Sequence, residues 1–223
     1  MSEKKKNFLQ LIFKLVEELE IGDVVKTFDH KTGLISSSHV CFIMKSEDVK
    51  NAFTLHFEND IDITVIEEHG FYDNDLNKYV FINADNAKDY VGHHFFNGDL
   101  MCQMELKGYD VLNDKVDAYA IVTSKHLNHM AEGMLSICDG SIKLFANLFE
   151  YDDNMKIDET QKVQDIATYG LMEKEAFTKY RGFEDADYED YGLQYVSILI
   201  GKGLITWEEI EMFYNLCADY LDE

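Results

Sequence analysis

The chain has 223 residues, 46% hydrophobic and 13% aromatic, with 43 acids against 20 bases and a formal net charge of −23. That apolar content can build a real core, so the charge belongs to a folded surface and not to a disordered acidic tail. A field of this sign opposes contact with nucleic acid and anionic lipid, and Arg181 is the only arginine, so the bidentate forks that read guanine or clamp phosphate are almost absent.

The first expected element is a helix over about residues 6 to 21. Phe8, Leu9, Leu11, Ile12, Leu15, Val16 and Leu19 recur at helical spacing, and Gly22 follows as a stop. Lys14, Glu17 and Glu18 interrupt its apolar stretch, so it reads as an amphipathic helix and not as a signal peptide. No apolar run approaches the length of a membrane-spanning helix. The period then changes. Segments 39–45, 52–58, 62–68, 78–84, 100–106 and 117–123 are short, rich in β-branched or aromatic residues, and separated by Gly, Asn and Asp, which predicts five or six strands. Phe53, Leu55 and Phe57 alternate with Thr54, His56 and Glu58, the pattern of an antiparallel sheet with one dry face. Within this region "YDNDLNK" opens like a calcium loop with Asp73, Asp75 and Asn77. Lys78 and Ala84 stand where such a loop needs glycine and glutamate, so a turn between strands is expected instead.

From Ser124 onward, Leu127, Met130, Met134, Leu135, Ile137, Ile142, Phe145 and Leu148 recur at helical spacing and predict a long helix, or a pair broken near Gly140. On it His126 and His129 share a face with Glu132, and His93 and His94 are possible further donors. They are candidate metal ligands without a complete ligand set. Cys41, Cys102, Cys138 and Cys217 have no C-x-x-C spacing and read as reduced, mostly buried thiols of a cytoplasmic protein. Cys138 has no basic sequence neighbour to activate it. Ser38 beside His39, in a strand, points to the opposite face and gives no nucleophile pair. The element order over residues 6 to 150, helix then antiparallel strands then long helix, resembles the small acidic secretion chaperones. That resemblance implies a partner-binding role for the sheet face and first helix.

The last seventy residues contain an internal repeat. "IATYGLMEKEAFTKY" and "LIGKGLITWEEIEMF" align Gly170 with Gly203 and Glu175 with Glu208 at an offset of 33, the size of one helix-turn-helix unit. Thr206 and Glu209 have capping-box spacing, which predicts a helix with Ile210, Phe213, Tyr214, Cys217 and Leu221 as its buried stripe. "GKG" at 201–203 lacks the frame of a phosphate loop and reads as a helix end. Residues 150–223 hold 19 acids and 6 bases and form an acidic pole. Glu184, Asp185, Asp187, Tyr188, Glu189, Asp190 and Tyr191 are its densest stretch, carboxylates interleaved with tyrosine.

The sequence thus predicts an α+β fold: an N-terminal helix, an antiparallel sheet of five or six strands, a long helix, and a C-terminal helical subdomain of two helix-turn-helix-like units. The expected division is 1–151 and 152–223, with a shared core allowed. The expected function is non-enzymatic: an acidic cytoplasmic inhibitor, encoded by a phage or mobile element, that mimics nucleic acid. It would occupy a basic nuclease or other nucleic-acid-binding protein through residues 184–191, as an anti-restriction or anti-CRISPR factor does. The alternatives are a chaperone-like binding module and a metal-dependent enzyme using His126 and His129. No cofactor is expected.

Overall fold

The structure is a computed structural model and describes residues 14–20, 22–66, 69–138, 203 and 205–221. The body of the expected first helix, residues 139–202, the boundary near 151, the first repeat copy and the acidic stretch 184–191 lie outside these residues. At the N-terminal end, Val16–Glu18 forms one exposed 3-10 turn.

The described chain is mostly β-sheet, which corrects the α+β expectation. Eleven strands follow in order: β1 (Val24–Asp29), β2 (Leu34–Val49), β3 (Phe53–Phe57), β4 (Ile61–Val65), β5 (His69–Asp73), β6 (Lys78–Ile82), β7 (His94–Asn97), β8 (Cys102–Val111), β9 (Val116–Thr123), β10 (Asn128–Ala131) and β11 (Met134–Ile137). The helix α1 (Trp207–Leu216) and the short α2 (Ala218–Leu221) close the described chain. One sheet has the order β1-β2-β9, and the other runs β10-β11-β5-β7-β8-β3-β4 with β6 paired to β5. Every described pairing is antiparallel, as the alternation in β3 requires.

The long helix expected from Ser124 is, over its described part, a β-hairpin. Ala131 pairs with Met134, leaving a two-residue loop of Glu132 at φ +47° and Gly133 at φ +81°. Two successive left-handed residues make the turn whose twist matches its flanking strands, and this local geometry overrides the helical spacing of Met130, Met134 and Leu135. His126, His129 and Glu132 therefore share no helical face. The "YDNDLNK" turn stands as expected, joining β5 to β6 in register Asp73 to Lys78, with Asn77 left-handed. The capping box is formed as well, Glu209 N–H donating to Thr206 Oγ1 at 3.2 Å and Thr206 N–H donating to the Glu209 carboxylate at 2.8 Å.

Two hydrophobic clusters divide the interior. One gathers Phe53, Leu55, Phe57, Ile63, Val65, Phe71, Val80, Ile82, Phe95, Met104, Leu106 and Met134. The other gathers Tyr79, Phe81, Val122, Leu127, Leu135 and Ile137 with Ile205, Ile210, Phe213 and Cys217 from the C-terminal segment. Alternation in β6 sends Val80 and Ile82 to the first and Tyr79 and Phe81 to the second, so this strand is buried on both faces. Each fully buried large side chain contributes about 1.5–3 kcal/mol of transfer free energy. Helix α1 seals the second cluster with Ile210, Phe213 and Cys217, the inner part of its expected stripe. Surface ion pairs link α1 to the β1–β2 turn, from Lys31 to Glu208 at 2.8 Å, and α2 to β6, from Lys78 to Asp219.

Candidate functional site

The polar interior is concentrated around the connection between β9 and β10. Of the buried polar residues, Thr123, Ser124, His126 and Asn128 lie on this stretch, and Thr27, Ser38 and Ser136 on neighbouring strands. Strand β9 ends at Thr123, whose hydroxyl sits 3.2 Å from the Lys125 carbonyl, 3.5 Å from that of Asn128 and 3.6 Å from Cys138 Sγ. Ser38 Oγ donates to the same Lys125 carbonyl at 2.6 Å, and Ser124 exchanges bonds with the His39 backbone at 2.8 and 3.2 Å. The Asn128 side chain bonds both ways with the Phe28 backbone, accepting at 2.7 Å and donating at 2.9 Å, and Cys138 N–H donates to the Leu127 carbonyl at 3.0 Å. The loop is thus anchored at both ends and across to β1, β2 and β11.

Within it His126 and Leu127 are left-handed, at φ +68° and +43°. Neither is glycine, and such a conformation costs about 1–3 kcal/mol per residue where the surroundings impose it. The His126 ring is 2% exposed, yet neither ring nitrogen has a hydrogen-bond partner. Glu209 Oε1 lies 3.7 Å from Nδ1, while the Glu209 carboxylate also caps α1. Burial, reinforced by the positive charge of Lys125, holds the His126 pKa below the ordinary histidine value, so the ring is neutral at pH 7. A neutral imidazole carries one N–H and one lone pair, the two functions of a general acid–base catalyst.

Two further pairs lie beneath the loop. His129 Nδ1 is 3.9 Å from Cys138 Sγ, and His69 Nε2 is 2.9 Å from Ser136 Oγ, which also donates to the Gly70 carbonyl at 3.1 Å. Burial lowers His69 to about 4, and burial together with nearby His69 lowers His129 to about 3. Cys138 has no basic neighbour in sequence; the fold brings His129 to it across the β10–β11 hairpin. On the other side His30 bonds Tyr79 OH at 2.9 Å within the rings of Phe28, Tyr72 and Phe213, and burial lowers it to about 4.

The candidate metal ligands are not united. The one described group of three or more side chains able to hold an ion is Asp73, Asp75 and His93, without His126 or His129. The partner-binding residues Glu184, Asp185, Asp187, Tyr188, Glu189, Asp190 and Tyr191 lie outside the described residues. No described helix is long and apolar enough to cross a membrane. The signal that marked the loop was the polar run "TSKH" ending the apolar strand "DAYAIV"; helical periodicity in the following residues masked it.

No protein-family model and no curated protein matches the chain. Solved structures do. The gp41-1 intein is 20% identical over 56% of this chain and 86% of that one, with a TM-score of 0.44. A bacterial intein-like domain from Clostridium thermocellum is 16% identical over 55% and 86%, at 0.47. A DnaB intein from Synechocystis is 11% identical over 56% and 86%, also at 0.47. The expected acidic inhibitor of a nucleic-acid-handling protein is thereby corrected: the similar structures are two inteins and an intein-like domain. The chaperone-like reading falls with the helix–sheet–helix order that carried it, and the reading of His126 and His129 as the ligands of a metalloenzyme falls with their shared helical face.

Proposed function

We propose that this chain is a self-processing domain that rearranges a peptide bond of its own polypeptide, with His126 as the proton-transferring residue. The carrying observation is the imidazole itself: fully buried, neutral, held on strained backbone and without a hydrogen bond on either nitrogen. An unpaired buried polar group costs about 1–3 kcal/mol, and a catalytic role is one reason for a protein to retain one. Burial also argues for the kind of substrate. Thr123, Ser124, Ser136, Ser38 and Cys138, the hydroxyl and thiol groups around the loop, are all buried, which disfavours a freely diffusing substrate. In this reading His126 accepts the proton of an attacking hydroxyl or thiol and returns it to the departing amide nitrogen. A cytoplasmic setting belongs to the same proposal, because Cys102 and Cys217 are free thiols.

The test joins a reporter domain to each end of the chain and follows intact mass with time, with and without hydroxylamine to trap acyl intermediates. Release or joining of reporters is expected from the native sequence and not from His126→Ala. That variant should keep its stability within about 1 kcal/mol, since losing the ring also removes an unsatisfied group. Native fusions that stay intact under all conditions refute the proposal.

A further inference from the structure

Away from that loop, the turn between β5 and β6 meets the start of β7, and there Asp73, Asp75 and His93 each turn a ligand atom to within 4.8 Å of the others. We propose that these three side chains form a binding site for one first-row divalent ion, Zn2+ foremost. The proposal is independent of His126.

The buried carboxylate of Asp73 is organised before any ion arrives. Asp73 is fully buried, and its Oδ1 accepts from Asp75 N–H at 2.8 Å and Leu76 N–H at 3.0 Å, which locks the carboxylate with Oδ2 directed at His93 Nδ1, 2.7 Å away. The turn is stitched to β7 in both directions: Asn74 N–H donates to the His94 carbonyl at 2.8 Å, and His94 N–H donates to Asp75 Oδ2 at 2.9 Å. His94 Nδ1 meets the same Asp75 oxygen at 3.0 Å, the outer partner that orients a ligating carboxylate. The site also has an entrance, because the side chains of His93 and Asp75 are 31% and 44% exposed while Asp73 is closed off beneath them.

The donor set selects the ion. One imidazole and two carboxylates suit Zn2+, which takes three protein ligands and keeps a fourth position for water. Calcium needs six to eight oxygens and magnesium holds most of its water, so neither matches a set with a nitrogen and two acids. Ligands of a tetrahedral ion at about 2.0–2.1 Å lie about 3.4 Å apart. Side-chain rotation of the exposed His93 and Asp75 supplies the closure required.

The test uses the full chain freed of metal with chelator and titrated with ZnCl2 by calorimetry, in parallel with Asp75→Asn and His93→Gln. Both substitutions lie at partly exposed positions and leave the Asp73 turn intact, and circular dichroism verifies the fold. One Zn2+ per chain, an affinity at least tenfold weaker in each variant, a Zn2+-dependent rise in Tm confined to the native chain, and no displacement by millimolar Mg2+ are expected. Absence of stoichiometric binding, or equal affinity in the native chain and both variants, overturns the site.

Discussion

Acid should unfold this protein through its buried histidines, well before its carboxylates titrate. His30 and His69 are lowered to about 4 and His129 to about 3, against an ordinary value near 6.5. In the unfolded chain these rings take up protons below about pH 6.5, whereas in the folded chain they stay neutral until the pH reaches their depressed values. The unfolded state therefore binds more protons in that window, and stability present in full above pH 6.5 is lost as the pH falls. At pH 5 each ring is about 1.5 units below its unfolded value, worth about 2 kcal/mol, so three together remove up to about 6 kcal/mol, a large part of a typical domain's total. His56 and His94 act in the opposite sense, because Asp62 and Asp75 raise them, so their contribution is held at low pH and lost as the pH rises through their folded values. Relief of self-repulsion in a chain of net charge −23 also favours acid. The three buried rings are expected to win. Urea unfolding followed by tryptophan and tyrosine fluorescence at pH 7.5, 6.5, 5.5 and 5.0 should show a falling midpoint at constant slope. A midpoint that is flat or rises towards pH 5 would refute the placement of these rings.

Gly70 pairs with Phe81, and a Cβ there would overlap the side chains of Phe81 and Ile137. Gly70→Ala should therefore cost about 1–3 kcal/mol in urea denaturation, and a neutral result would mean that the β5–β6–β11 packing is looser than described. Phe213 is fully buried between His30 and Tyr79, with ring centroids at 5.9 and 6.4 Å. Phe213→Ala should cost about 3–5 kcal/mol and expose the second cluster to a hydrophobic dye, whereas a change below about 1 kcal/mol would show that α1 does not seal that core.

The sequence was most legible where one physical rule acts alone. Strict alternation in "AFTLHFE" marked β3 and its antiparallel neighbours, the spacing of Thr206 and Glu209 marked the start of α1, and missing glycine and glutamate turned the calcium-like run into a plain turn. It misled where two rules compete. Leu127, Met130, Met134 and Leu135 have helical spacing, but Glu132-Gly133 can fold into a two-residue hairpin loop, and the gain from pairing β11 with β5 and β7 decides for strands. β7 and β10 are four residues long and rich in His and Asn, so neither length nor propensity announced them. The sites were legible as residues but not as sets. Asp73, Asp75 and His93 were each noticed in the sequence, but only the antiparallel return of β7 past the β5–β6 turn brings them together. His126 looked like one of a helical pair, and its isolation on left-handed backbone is a property of the loop.

The double burial of β6 has a consequence for how the molecule comes apart. A strand with Tyr79 and Phe81 in one core and Val80 and Ile82 in the other is a common wall, and neither compartment can be opened without stripping one side of it. Partial opening that spares half the protein is thus penalised, and the two compartments should melt as a single cooperative unit. The amide protons of β6 that pair with β5 should then exchange with solvent only at the rate set by global unfolding, slowest of the whole chain, while those of the exposed 3-10 turn at residues 16–18 exchange freely.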